Sequence, residues 1–255
     1  MPNFSPQRRG ASPRDAKISP TVLVTGGSGG IGRALCLAFG RAGWRVGVHY
    51  RTRAQAAART AAMVRRLGGT ALLIKADIRD CKQAREMVNQ FVDRWGRLDA
   101  LICNAGVASS ELVMRVEVET WTAVVDTNLT GTFYCLQAAG PVMVKQRDGV
   151  VIVVGSLAGV QGVAGQAAYA ASKAGLVGLV KTAATEWGRH NIRVNMVLPG
   201  WQKTKLAGSA FPGEAPAGHV LGRTASLKEV AQIVYQLALL PDSSGQVWNL
   251  DNRIL

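Results

Sequence analysis

"TVLVTGGSGGIGRA", residues 21–34, joins a short β-branched run to a glycine-rich loop and then to a helix-forming segment. The Val- and Thr-rich start is strand chemistry. The glycines let the backbone turn tightly where the strand ends. The helix that follows offers free N–H groups and the positive end of its dipole, a setting that favours an anion such as a pyrophosphate. Gly26, Gly30 and Gly32 follow the spacing T-G-x-x-x-G-x-G. A strand before and a helix after are what separate such a motif from a plain glycine-rich loop.

Outward from this unit, the chain keeps alternating. Strands are predicted at "RVGVHY", "TALLIKA", the start of "LDALICNAG", "GVVIVVGS", "IRVNMVLPG" and "GQVWNL". Helices are predicted over 30–42, 53–67, 81–95, 117–145, 167–188 and 226–240. Continuous apolar strands alternating with helices imply a parallel sheet covered on both faces. The expected fold class is α/β: one doubly wound Rossmann-type domain over residues 20–255, with about seven strands. Residues 1–19 carry three prolines and four basic residues without hydrophobic periodicity, and read as a disordered tail. Their Arg and Ser content, with Asp15 the single acid, also suits an organelle-targeting peptide.

Composition narrows the function classes. Apolar residues make up 48% and charged residues 18%, which excludes disorder throughout. No apolar run reaches membrane-spanning length and no signal-peptide core opens the chain, so a cytoplasmic protein is expected, or an organelle-matrix one if the tail is a targeting peptide. Cys36, Cys81, Cys103 and Cys135 are scattered without C-x-x-C, and His49, His190 and His219 lack ligand spacing, so no metal site is expected. The net charge of +14 favours an anionic partner: a phosphorylated cofactor, an acidic protein or a nucleic acid. The bases are spread along the chain without interleaved aromatics, which counts against nucleic acid.

A second stretch, "YAASK" (169–173), lies in an Ala- and Gly-rich run that reads as a buried helix. Tyr169 and Lys173, four residues apart, share one helix face. Two readings follow. The tyrosine packs beside a lysine that snorkels to water, or an ammonium lowers the pKa of a phenol that works as an acid/base catalyst.

The three motifs "TGGSGGIG", "CNAG" (103–106) and "YAASK", in this order, resemble the short-chain dehydrogenase/reductase family over about residues 20–250. Ser156 in "VVGSLAG" and Asn128 in "DTNLTGTF" fill two further family positions. The resemblance implies four catalytic roles. Ser156 hydrogen-bonds and polarises the substrate carbonyl, and Tyr169 protonates its oxygen as hydride arrives. Lys173 lowers the Tyr169 pKa and binds ribose hydroxyls. Asn128 holds a water that links Lys173 to solvent.

The resemblance also implies a dinucleotide cofactor. Its contacts would come from Gly26, Ser28, Gly30, Ile31 and Gly32 in the first loop, and from Asn104, Ala105 and Gly106 in the second. Pro199, Gly200 and Thr204 match the segment beside the nicotinamide, with Tyr169 and Lys173 nearby. Asp77 and Ile78, in "KADIRD", fit the adenine contact, although Asp77 serves equally well as the N-cap of the next helix. The second strand ends "HYRTR" with no carboxylate for the ribose hydroxyls, and Arg51 and Arg53 suit a 2′-phosphate, so NADPH is expected. Many relatives add a base just before the second motif glycine, where this chain has Gly29. Cys103 is assigned no chemistry.

Within the family, "GQAAYAASKAG", "IRVNMVLPG" and "LGRTASLKEVA" are most similar to β-ketoacyl-[acyl-carrier-protein] reductases and acetoacetyl-CoA reductases. That likeness implies NADPH-dependent reduction of a 3-oxoacyl thioester, a homotetramer, and a substrate loop near 201–220. It also implies an acidic carrier protein docking at the cleft mouth on Arg147 and on Arg189, beside His190. The C-terminus lacks the Asp-Gly-Gly ending of many relatives. A reductase for another ketone, sugar or steroid, or a non-catalytic dinucleotide-sensing protein, remains an alternative.

Overall fold

A computed structural model describes residues 19–202, 204 and 218–254. Its strands are β1 (Thr21–Val24), β2 (Arg45–Tyr50), β3 (Thr70–Lys75), β4 (Ala100–Cys103), β5 (Gly149–Val154), β6 (Ile192–Leu198) and β7 (Val247–Asn249). They form one sheet in the order β3-β2-β1-β4-β5-β6-β7, and every pairing is parallel. The winding reverses between β1 and β4, and that reversal opens a crevice at their carboxyl ends. The helices are α1 (Gly30–Arg41), α2 (Ala54–Arg66), α3 (Cys81–Trp95), α4 (Val118–Val125), α5 (Gly131–Gln146), α6 (Ala158–Gln161), α7 (Ala167–Trp187) and α8 (Leu227–Leu239).

The apolar strands look uniform in sequence but divide their side chains by alternation. Val22, Val24, Ala100, Ile102, Val150 and Ile152 join the core under α1, α2 and α8. Leu23, Leu101, Cys103, Val151 and Val153 join the opposite core under α3, α5 and α7. Two filled layers fix the heights of the strand ends, and hence the loops that build the crevice.

Three expectations change in detail. The helical stretch expected over 117–145 is interrupted by a π-helical turn, Asp126–Thr130, between α4 and α5. The helix holding "YAASK" is buried only on one side: Ser172, Lys173 and Leu176 are buried, whereas Ala171, Ala174 and Gly178 are exposed. Asp77 is not a helix cap. Asp80 caps α3, accepting from the backbone N–H groups of Lys82 (2.8 Å) and Gln83 (3.3 Å). The tail over 1–18 and most of the predicted substrate loop (203 and 205–217) lie outside the described residues.

Candidate active site

A cleft of about 1210 Å³ runs along the carboxyl ends of the strands, from Arg51 and Arg53 at one end to Ser156, Tyr169 and Lys173 at the other. Its floor begins at the glycine turn after β1. Gly26 has φ +68, a left-handed conformation suited to glycine. A Cβ on Gly32 would lie 2.3 Å from the Gly26 carbonyl oxygen, so only glycine lets α1 start so close to the turn. Helix α1 has no side-chain cap at Gly29 and no acid in its first turn. Its leading N–H groups therefore remain available to an anion in the cleft, where Ser28, Gly30 and Ile31 form the wall. Thr204 packs over this loop, with Cγ2 3.2 Å from where a Gly30 Cβ would stand.

The loop after β4 is fastened to that turn. Thr25 Oγ1 accepts from the backbone N–H groups of Asn104 (2.9 Å) and Ala105 (3.0 Å). The Asn104 amide donates to the carbonyls of Thr25 (2.9 Å) and Gly26 (3.4 Å). Asn104 thus borders the cleft, but its side chain is committed to the turn. Gly106 leaves space beside Asn128, whose Oδ1 would lie 3.1 Å from an added Cβ. His49 supports the turn from below: its Nδ1 accepts from the Gly26 N–H at 3.0 Å.

The far end is strongly basic. Arg33 and Arg59 join Arg51 and Arg53 on the cleft wall. The Arg53 guanidinium lies 3.6 Å from where a Gly29 Cβ would be, so Arg53 fills the place left empty by that glycine. Asp77 and Ile78 also line the cleft. Arg79 grips the Asp77 carboxylate through Nε (3.0 Å) and Nη2 (2.6 Å), and this hydrogen-bonded pairing holds Asp77 below the usual carboxylate range.

At the other end, Ser156 follows β5 and faces the Tyr169 phenol across the cleft, its Oγ accepting from the Ala158 backbone N–H at 3.2 Å. Burial pushes that phenol above its ordinary pKa, and the polar Ser156 hydroxyl opposes the shift. Lys173 lies one turn along α7 on the same face, its Nζ 5.7 Å from the Tyr169 ring centroid. It does not snorkel: it is 4% exposed and donates to the Val154 carbonyl at 2.7 Å. Burial lowers its pKa from 10.5 to about 8.

Asn128 sits in the π turn, fully buried. Its Oδ1 accepts from the Val107 N–H (2.9 Å), and its Nδ2 donates to the Val107 carbonyl (2.9 Å) and Ser172 Oγ (3.0 Å). The side chain is therefore a clamp between the β4 loop and α7. Ser172, inside "YAASK" itself, completes that clamp by donating to the Tyr169 carbonyl at 2.7 Å.

Pro199 and Gly200 border the reaction end after β6. Gly200 has φ +69 and abuts Asp251, a carboxylate buried between Arg253 and His219, with His219 Nε2 at 3.2 Å. Arg253, also on the cleft wall, stands in the segment where relatives carry Asp-Gly-Gly. Sequence reasoning missed His49, Arg33, Arg59 and this C-terminal cluster. Only His49 had a local signal, a polar ring in an otherwise apolar strand.

Arg147 and Arg189 are not at this cleft's mouth. Arg147 ends α5, just before β5, and lines a separate hollow of about 670 Å³ with Trp95 and Asn191. Ser156 lies beyond the other end of β5, about 20 Å away at about 3.3 Å per strand residue. Arg189 follows α7 on an exposed turn and donates to His190 at 3.2 Å.

A family model described as short chain dehydrogenase matches residues 20–215. A 3-oxoacyl-[acyl-carrier-protein] reductase of Synechocystis sp. is 35% identical over 243 residues, covering 94% of this chain and 98% of that protein. One from Staphylococcus aureus (strain Mu50) is 39% identical over 185 residues, covering 72% and 75%. Among solved structures, a short-chain type dehydrogenase/reductase from Mycobacterium marinum superposes with a TM-score of 0.84 at 32% identity, covering 92% of this chain and 95% of that one. Levodione reductase superposes with a TM-score of 0.85 at 27% identity, covering 92% and 98%.

Proposed function

The chain belongs to the short-chain dehydrogenase/reductase family, an oxidoreductase of a CH–OH/C=O pair with a nicotinamide dinucleotide cofactor, and from that premise we propose that it reduces a 3-oxoacyl thioester to the 3-hydroxyacyl thioester with NADPH. The observation that carries the chemistry is the convergence of Ser156, Tyr169 and the buried Lys173 at one end of a cleft whose other end is lined by arginines. The thioester reading rests on the relatives' printed activity at 35–39% identity.

The free N–H groups opening α1 receive the cofactor's pyrophosphate. Arg53 beside Gly29, with Arg51, pairs with the 2′-phosphate and selects NADPH over NADH. The cofactor, when bound, supplies hydride. Ser156 donates a hydrogen bond to the substrate carbonyl oxygen, and Tyr169 gives that oxygen its proton. Lys173, anchored on Val154, has further N–H groups to direct at ribose hydroxyls and at the phenol oxygen, where its charge favours proton transfer. Asn128 serves by clamping α7 to the β4 loop.

Homotetramer formation is part of the same reading. The exposed Ala171, Ala174 and Gly178 stripe of α7 would let another copy approach closely. Carrier-protein docking on Arg147 and Arg189 requires a second copy to bring those residues to the cleft, because within one chain they stand at the opposite end of the sheet. NADPH oxidation against acetoacetyl-CoA, a β-ketoacyl carrier protein and simple ketones tests the proposal. A clear kcat/KM preference for the thioesters supports it, and equal or better turnover of simple ketones overturns it. The close superposition on levodione reductase keeps a general ketone reductase as the second reading.

A further inference from the structure

His49 is 2% exposed and makes a hydrogen bond with each ring nitrogen. The Gly26 backbone N–H faces Nδ1 at 3.0 Å and can only donate. The Ala76 carbonyl faces Nε2 at 3.0 Å and can only accept. These two partners dictate one protonation state. Nε2 carries the hydrogen, Nδ1 is bare, and the ring is neutral. An added proton on Nδ1 would point at the Gly26 N–H, replacing a hydrogen bond with two opposed donors in a site closed to water.

The two partners belong to different loops that build the cleft. Gly26 opens the glycine turn that presents the first N–H groups of α1. Ala76 immediately precedes Asp77 and Ile78, which line the cleft below the basic end. One imidazole therefore sets the height of the pyrophosphate turn and of the loop after β3.

We propose that His49 is a positioning residue for the dinucleotide, and that the cofactor site is formed only while this ring is neutral. The surrounding groups set where the switch occurs. Burial pushes the His49 pKa below 6.5, while the Ala76 carbonyl and the nearby Asp77 carboxylate push it up. Asp77 is itself gripped by Arg79, with Arg51 also acting on it. Cys36, on α1 near the glycine turn, stays a neutral thiol because burial raises its pKa far above the working range. The direction follows from linkage. If the cofactor requires the neutral ring, binding lowers the His49 pKa further, and affinity falls as pH drops.

The test measures affinity rather than turnover. Oxidised NAD and NADP, both stable in acid, are titrated between pH 7.5 and 5.5 by intrinsic fluorescence. NAD lacks the 2′-phosphate, which titrates in the same range. For the unaltered protein, NAD affinity should fall with pH, approaching tenfold per unit below the ring's free pKa. His49→Asn places an oxygen near the old Nδ1 position without a titrating ring. It should bind more weakly at pH 7.5 yet lose the pH dependence. His49→Phe, with no acceptor for Gly26, should lose more affinity. Imidazole NMR shifts give a readout that needs no variant: the His49 pKa should be lower with NAD bound than without. Flat NAD affinity in the unaltered protein, an identical pH dependence in His49→Asn, or an equal His49 pKa in both states would overturn the proposal.

Discussion

Lys173→Met isolates the energetic cost of the site. Burial lowers the Lys173 pKa from 10.5 to about 8. At about 1.4 kcal/mol per unit, holding that ammonium inside the fold costs about 3 kcal/mol wherever the lysine is charged both folded and unfolded. Methionine has a similar shape and no charge. It loses one hydrogen bond to the Val154 carbonyl, a penalty of about 1 kcal/mol that grows if the carbonyl stays unpaired. Near pH 7 the variant should therefore be more stable than the parent by about 1–2 kcal/mol. The sign of the pH dependence follows from proton counting. Between the folded and unfolded pKa values, the unfolded chain binds more protons, so the parent gains stability as pH rises from about 8 to 10.5. The variant cannot share that gain. Its advantage should shrink by about 2 kcal/mol between pH 7 and 9.5. Urea unfolding of both ligand-free proteins at these two pH values measures the difference. A variant less stable at pH 7, with a gap that pH does not change, would refute the view of Lys173 as a destabilising charge retained for function.

Tyr169→Phe should lower reductase turnover by at least ~100-fold, the scale of a lost general acid, while NADPH binding persists; near-parental turnover would remove Tyr169 from that role. Arg53→Ala, alone and with Arg51→Ala, should erase an NADPH preference of about 1.5–3 kcal/mol, read from fluorescence titration of NADPH and NADH. Asp251→Asn removes the charge partner of Arg253, whose side chain is 18% exposed, and should cost about 1.5 kcal/mol in urea unfolding, whereas an unchanged midpoint would reduce the cluster to packing. Arg147→Glu should raise KM for a carrier-protein substrate, less so at high salt, and spare acetoacetyl-CoA; equal effects on both would end the docking reading.

The layered fold was legible because its signals are local. Each strand is an apolar run, each helix a longer segment, and Gly26 and Gly32 must be glycine for reasons of backbone geometry alone. Tyr169 and Lys173 share a face because four residues make about one helical turn. What the letters did not carry was the environment at each position. Lys173 resembles any lysine on an Ala-rich helix until Val154 and the β4 loop close over it. Asp77 passes for a helix cap on paper, and the start of α3 gives that place to Asp80 instead. Arg147 was placed at the cleft mouth by the likeness to carrier-protein reductases, but it stands before β5 and Ser156 after it, and a strand separates its two ends by its whole length.

The same contrast explains why the cofactor end was the more readable. Its proposed contacts are backbone N–H groups and arginines reached by one or two consecutive loops, and such features are written contiguously. Even there, the sequence did not show that Arg53 leans over Gly29, into the place where many relatives carry a base. The reaction end is assembled from β5, α7, the π turn, the loop after β6 and the C-terminal segment, held by long-range contacts such as Asn128 to Ser172 and Gly200 to Asp251. In the proposed reading, that assembly would set substrate preference. A sequence motif can therefore report that a carbonyl is reduced with much greater security than which carbonyl it is. The residues that would change the choice are those, like Arg253, that reach the cleft from positions the motifs do not include.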